Sequence, residues 1–299
     1  MENNAVKTGH PKGLYFLFFT EMWERFSYYG MRAIFILFMT KVLLMKDADA
    51  SEIYGSYTGL VYLTPLLGGY LCDKFLGNRR SIVIGGLLMA IGQFFMFFSA
   101  SVGADGGVSL MWMGLTAIII GNGFFKPNIS TMVGQLYPAN DRRIDSAFTI
   151  FYMGINLGAF FSPLVCGSMD FKWGFLAAGV GMLIGLVAFV VGQKKYLVTE
   201  DGKAIGLPVK KLDAKSIAMI IGSIAIIFFM LNFKQMFKSE VDIISYLIYG
   251  AMIAMPILIF SDKSLTKIET QRITVIFLLA FFVIFFWGAF EQAGASLTL

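Results

Sequence analysis

Apolar runs of about 20 residues, the length of helix that crosses the hydrocarbon core of a bilayer, recur along this chain and leave it few folds to choose from. Lipid offers no partner to backbone N–H and C=O groups, so runs of this length span as helices that satisfy their own hydrogen bonds. Runs at 14–44, 53–72, 81–100, 109–133, 146–168, 172–192, 216–237, 241–260 and 273–298 predict nine crossings and an all-α, polytopic membrane protein. Composition agrees: 57% of residues are hydrophobic and 14% charged, against roughly 45–50% and about 25% in soluble domains.

Cations in short connectors mark the cytoplasmic side. Lys7 and Lys12, then Lys74, Arg79 and Arg80, then Arg142 and Arg143, then the lysines from Lys194 to Lys215, and finally Lys263, Lys267 and Arg272 fall on one side. The other side mixes Lys46 with Asp47, Asp49 and Glu52, then carries Asp105, Asp170 with Lys172, and Lys234 and Lys238 with Glu240 and Asp242. The N-terminus is therefore expected in the cytoplasm. The net charge of +5 is scattered over these connectors instead of massed in a stripe, which argues against a nucleic-acid partner. Cys72 and Cys166 fall at opposite membrane faces, too far apart for a disulfide. The polar stretch Met1–Gly13 lacks the pattern of a cleavable signal, so the first span is expected to direct insertion.

The connector 193–215 is the longest, is polar and contains Pro208; it reads as a boundary after a six-helix unit. The sequence stops at Leu299 inside an apolar run after an odd number of spans, so a longer protein is expected.

An ionisable side chain at the centre of a span costs about 2.5–3.5 kcal/mol on insertion scales, so it normally faces a bundle interior or a cavity and marks function. The first span has four: Glu21, Glu24, Arg25 and Arg32. At helical spacing these and Tyr28 and Tyr29 occupy an arc of roughly 140°, while Trp23, Phe26 and Ser27 point elsewhere. That face reads as a wet, titratable lining; its structural alternative is a fixed ion pair such as Glu21 with Arg25 at i,i+4. In the fourth span Lys126 stands with Asn122 and Ser130 on one face, and Pro127 frees the carbonyl of Gly123. A snorkelling lysine beside an ordinary kink is the alternative there. Tyr152 and Asn156 share a face of the fifth span, where Asn156 suits either a ligand contact or an interhelical hydrogen bond; Gly154 and Gly158 suit close helix packing. Glu291, followed by Gln292, lies in Phe-rich surroundings, where a moving cation would switch its protonation.

No G-x-x-x-x-G-K-[ST] loop or G-x-S-x-G elbow is present, and His10 stands alone in a polar tail. A histidine relay and a His metal cluster are thereby excluded. A secondary transporter remains, or an intramembrane acid/base enzyme whose carboxylates would be spread over four spans with no nucleophile.

Glu21–Gly30 reads EMWERFSYYG, which resembles the E-x-x-E-R-F-x-Y-Y-G signature of the proton-dependent oligopeptide transporter (POT) family. GFFKPNIS (123–130) and FTIFYMGINLG (148–158) look like its two long signatures. Gly69, Asp73, Lys74, Gly77, Arg79 and Arg80 fit the loop motif of the wider major facilitator superfamily. The resemblance implies two six-helix bundles around a central site, each built of inverted repeats. Residues 1–192 would be the N-terminal bundle, 193–215 a cytoplasmic linker, 216–260 two extra helices typical of bacterial members, and 261–299 the start of the C-terminal bundle with the seventh core helix, the remainder being absent.

The resemblance further implies proton-coupled symport of di- and tripeptides across the inner membrane by alternating access, with protons as the coupling ion and no cofactor. Arg25 and Lys126 would face the peptide carboxylate, and Tyr29, Tyr62 and Asn156 would contact the peptide. Glu21, Glu24 and Glu291 would carry the proton, with Arg32 the alternating partner of Glu291. Gly69, Asp73, Lys74, Gly77 and Arg80 would gate the cytoplasmic side. Some members have a histidine where this chain has Gly55, so its proton relay is expected to run on carboxylates. Carriage of nitrate or a peptide-like drug, and a peptide sensor that does not translocate, are the rival readings.

Overall fold

The computed structural model describes residues 9–208, 213–237, 243–294 and 297–298, and the side chains of 216 and 234–237 lie outside that description. Of the cations and acids used to orient the chain, Lys7, Lys210, Lys211, Lys234, Lys238, Glu240 and Asp242 thus fall outside the described residues or side chains.

Among the described residues the fold is helical, with one isolated antiparallel bridge between Val198 and Ala204. The helices are α1 (Lys12–Lys41), α2 (Asp47–Leu71), α3 (Asn78–Val102), α4 (Gly107–Gln135), α5 (Ile144–Gly167), α6 (Phe171–Tyr196), α7 (Ala214–Phe237), α8 (Ile243–Phe260) and α9 (Lys267–Phe290). Six of them, α3, α4, α5, α6, α8 and α9, carry stretches long and apolar enough to cross a membrane. The candidate site residues Glu21, Glu24, Arg25 and Arg32 stand in α1, whose long run is correspondingly more polar.

Several boundaries differ from the apolar runs, because helices continue into polar residues that hydropathy ignores. α2 begins at Asp47 with Asp47 and Asp49 in its first turn, where carboxylates favour the positive end of the helix dipole. α6 continues through Lys194 and Lys195 to Tyr196, beyond the expected end at 192. α9 starts at Lys267, six residues before the apolar run, because Thr266 and Glu269 form a capping box. It ends at Phe290, so Glu291 stands in a 3-10 turn, Glu291–Gly294, and not within a helix as expected.

α1 to α6 form one packed unit. α3 and α4 approach at backbone distance: a Cβ added at Gly121 would lie 2.6 Å from the Gly85 carbonyl oxygen, and one at Gly92 would lie 2.7 Å from that of Gly114. Such small-residue contacts hold helices together where lipid supplies no hydrophobic drive. Gly154 and Gly158 play the expected packing part, meeting Phe18 and the Met22–Phe26 backbone of α1. Gly181 and Gly185 of α6 receive Phe26 and Trp23, and Ser27 meets Gln93 of α3, so the face of α1 opposite its charges is the one that packs on α3 and α6.

α7 packs on α4 and α8 on α2. No described residue of α9 is buried; its Phe277 meets Phe260 of α8, and the turn after it reaches α1.

The connectors rich in cations gather at one end of the bundle. Arg143 joins three of them: it holds Asp141 at 2.6 Å and Glu200 at 2.8 Å and donates to the Gly9 carbonyl at 2.6 Å. These bonds hold the Asp141 carboxyl down to about 2. The segment after α6, expected as a linker from 193, folds over this end and buries Leu197 and Ile205.

Candidate functional site

α1, α2, α4 and the turn after α9 bring most of the candidate residues together. The Arg25 guanidinium contacts Glu24 twice, through Nε to Oε2 and through Nη2, which donates to Oε1 at 2.7 Å; its Nε also lies 3.2 Å from Glu21 Oε1. Asn122 of α4 donates to Glu24 Oε1 at 3.3 Å. The i,i+4 pair considered as a purely structural alternative thus exists, yet Glu24 holds Arg25 more fully than Glu21 does. Glu21 Oε2 and Asn122 Oδ1 are buried without a partner, which leaves unused acceptors at the centre of the span.

The expectation of a wet lining needs correction. Glu21, Glu24, Arg25 and Tyr28 are all buried. The Arg25 Cζ sits 5.2 Å from the Tyr28 ring, that ring stacks on Tyr57 of α2, and the hydroxyls of Tyr28 and Tyr57 have no partner. α2 and α4 therefore cover the charged face, whereas Tyr29 is half-buried.

Lys126 of α4 is half-buried, with Nζ 5.0 Å from the Tyr62 ring. Among the described residues it has no carboxylate at ion-pair distance, although Arg25, Glu24 and Glu21 lie within electrostatic reach. Pro127 follows it, and the Gly123 carbonyl that the proline leaves unbonded faces Gly68 of α2, where no side chain intervenes. α2 and α4 are further joined by Thr64, whose hydroxyl donates to the Ile119 carbonyl at 3.0 Å. This close crossing fixes Tyr62 over Lys126.

Arg32 pairs with Glu291 and donates from Nε to the Tyr54 hydroxyl at 2.6 Å. A cavity of about 240 Å³ adjoins the pair, lined by Tyr54, Gly55, Thr58 and Glu291 among others. A Cβ at Gly55 would meet nothing within 4 Å. Gly55 therefore leaves open space beside the Glu291 carboxylate.

One candidate stands apart. Asn156 is exposed and its amide donates to the Tyr152 carbonyl one turn back at 3.0 Å; Tyr62, beside Lys126, is exposed at 53%. Of the loop motif, Asp73 and Lys74 are exposed in a π-helical turn, Cys72–Leu76, with Lys74 donating to the Tyr70 hydroxyl at 2.9 Å. Gly77, at φ +73°, is the one residue between that turn and α3, and the Leu207–Pro208 backbone lies against it. A Cβ added at Gly69 would meet nothing within 4 Å, and Arg80 is half-buried. The Arg79 guanidinium donates to the carbonyls of Leu197 at 2.6 Å and Ile205 at 2.8 Å.

Tyr54, Tyr57 and the clamp by Arg79 were not singled out by the sequence reading. The repeat of Tyr54, Thr58 and Tyr62 at i, i+4 and i+8 was the available signal for a polar face on α2. Among the described residues no group of three His, Cys, Asp or Glu side chains is placed to hold a metal ion.

A profile of the POT family matches residues 79–299. The chain belongs to the POT family. It is 36% identical to an uncharacterized transporter, YclF, of Bacillus subtilis over 97% of this chain and 60% of that protein. It is 35% identical to the peptide transporter YePEPT of Yersinia enterocolitica over the same shares. A solved POT family transporter in complex with a thioalcohol-conjugated peptide superposes with a TM-score of 0.79 at 34% identity, over 97% of this chain and 61% of that one. The chain thus has the fold of these transporters, is a multi-pass membrane protein, and spans about 60% of the length of the curated relatives it matches.

Proposed function

We propose that this chain forms the N-terminal part, residues 1–192, the linker 193–215, two additional helices in 216–260 and the opening of the C-terminal bundle, 261–299, of a proton-coupled importer of di- and tripeptides. It would sit in the inner membrane with its N-terminus in the cytoplasm, and it would act as a carrier and not as an enzyme. The observation that carries this reading is Lys126: a mid-span ammonium, half-buried and without a carboxylate, beside the buried Arg25–Glu24–Glu21 cluster. A cation left unpaired in lipid-buried protein is a docking point for an anion, and a peptide's terminal carboxylate has the size and charge for it.

Arg25 is already held by Glu24 and Glu21. It becomes available to a carboxylate when one of them takes up a proton, and this exchange links substrate to proton. Arg32 and Glu291 form the second switch, since protonation of Glu291 removes the charge that holds α1 to the turn after α9. Lys126, Tyr62 and Tyr29 would contact the peptide, Asn156 would join them once released from Tyr152, and Gly69, Asp73, Lys74, Gly77 and Arg80 would form the cytoplasmic gate.

The test uses the full-length protein in proteoliposomes. Labelled dipeptide is expected to exchange in counterflow and to accumulate under an inward proton gradient, and Glu24→Gln is expected to abolish accumulation. Binding without counterflow would make the protein a sensor. Accumulation retained in Glu24→Gln would remove Glu24 from the coupling.

A further inference from the structure

Outside the charged cluster, a cavity lies at the cation-rich end between α3 and α6. Its volume is about 600 Å³, and its lining includes Arg79, Arg80, Ile84, Lys194 and Leu207. Arg79 and Arg80 stand in the first turn of α3, which has no acidic residue and no side-chain cap. Cations there face the positive end of the helix dipole, an unfavourable placement that an anion in the cavity would reverse. Arg79 is bonded by carbonyls, and among the described residues neither it nor Lys194 has a carboxylate at ion-pair distance.

The apolar surface leading away from the cavity has a direction. From Arg80, steps of four, three and four residues along α3 pass Ile84, exposed Leu87 and exposed Ile91; back from Lys194 along α6, steps of three and four pass exposed Val191 and Val187. Each series lies on one helix face. The two helices run antiparallel, touching where Gly86 meets Leu186 and Met182 and where Gly179 meets Gln93, and both series point away from that seam on the same side of the helix pair. Charge at the cavity and an apolar surface leading from it match an amphiphile with an anionic head and fatty chains, and not a free anion, which has no use for that surface.

We infer that this cavity binds an anionic phospholipid, its phosphate against Lys194, Arg80 and Arg79 and an acyl chain along the exposed apolar faces of α3 and α6. Basic pockets between spans on the cytoplasmic side suit such head groups. The site is separate from the peptide cluster, so its lipid is a bound partner and not a substrate.

The experiment takes full-length protein, stripped of lipid in detergent, and adds a phosphatidylglycerol with a photoactivatable diazirine in one acyl chain. Adducts mapped by mass spectrometry are expected within residues 83–91 and 187–194. Unlabelled phosphatidylglycerol should displace the probe, and phosphatidylcholine or inorganic phosphate should not. Lys194→Gln, an exposed substitution that leaves the packing intact, should weaken displacement roughly fivefold, and adding Arg80→Gln about fivefold again, from the contribution of each cation near a charged membrane surface. Lys172→Gln, at the opposite end of α6, should change nothing. Adducts confined to other helices, or equal displacement by phosphatidylcholine, would overturn the inference. Displacement by inorganic phosphate would assign the cations to a free anion, and unchanged affinity in the double variant would remove them from the site.

Discussion

Consider the removal of each carboxylate from Arg25, singly and together. Glu24 contributes two contacts to the guanidinium and a third to Asn122, whereas Glu21 contributes one at 3.2 Å and leaves its other oxygen without a partner. Glu24→Gln keeps the shape and one neutral acceptor but removes the charge; at about 1.5–3 kcal/mol for each of the two hydrogen bonds to the charged group, less about 1 kcal/mol retained, the loss is about 2–5 kcal/mol. Glu21→Gln removes a half-satisfied buried carboxylate, so relief of desolvation offsets most of the lost contact and the net is about 0–1 kcal/mol. The pair of substitutions leaves Arg25 buried with no counter-charge, a state that neither single variant reaches. The double variant should therefore exceed the sum of the single ones by about 1–3 kcal/mol, the coupling of residues sharing one partner. Unfolding of the full-length protein in mixed micelles, followed by tryptophan fluorescence, measures all four corners of the cycle. Two results would refute the reasoning: additivity within about 0.5 kcal/mol, or a Glu21→Gln loss as large as that of Glu24→Gln.

Lys126→Ala should weaken dipeptide binding by about 1.5–3 kcal/mol, and binding of the dipeptide's C-terminal amide by much less, in calorimetric titrations; equal losses would show that Lys126 does not read the carboxylate. Glu291→Gln should release Arg32 and shift the distance distribution between spin labels on α1 and α9, and distributions matching wild type at high and low pH would make the pair an anchor and not a gate. At the cation-rich end, Asp141 titrates near 2 in the folded state against 3.8 unperturbed because Arg143 bonds its charged form. Its folded value is depressed, so its contribution is complete above about pH 4 and is lost as pH falls through 2; the thermal midpoint of Asp141→Asn should fall less than that of wild type between pH 4 and 2, and parallel curves would contradict the assignment.

Helix number and the identity of the charged residues were legible in the sequence for one reason. Lipid enforces a fixed apolar length per crossing, and each charge within that length is conspicuous. The face of α1 was legible too, because a 3.6-residue period puts Glu21, Glu24, Arg25 and Arg32 on one side without reference to any neighbour. What that face meets was not. Whether it lined water or was covered depended on how close α2 and α4 come, and that was decided by Gly68 opposite the carbonyl freed by Pro127 and by the glycine pairs of α3 and α4, contacts between residues remote in sequence. The end of α9 likewise escaped a reading based on hydropathy, since the apolar run continues past Phe290 while the helix gives way to the turn that presents Glu291 to Arg32. Arg79 shows the same division: its motif placed it in a turn, and only the fold of residues 197–206 over that turn gave its guanidinium carbonyls to bind. Periodicity and solvent cost are local properties and can be read along the chain, whereas burial and pairing belong to helices brought together from distant positions, which only the tertiary structure specifies.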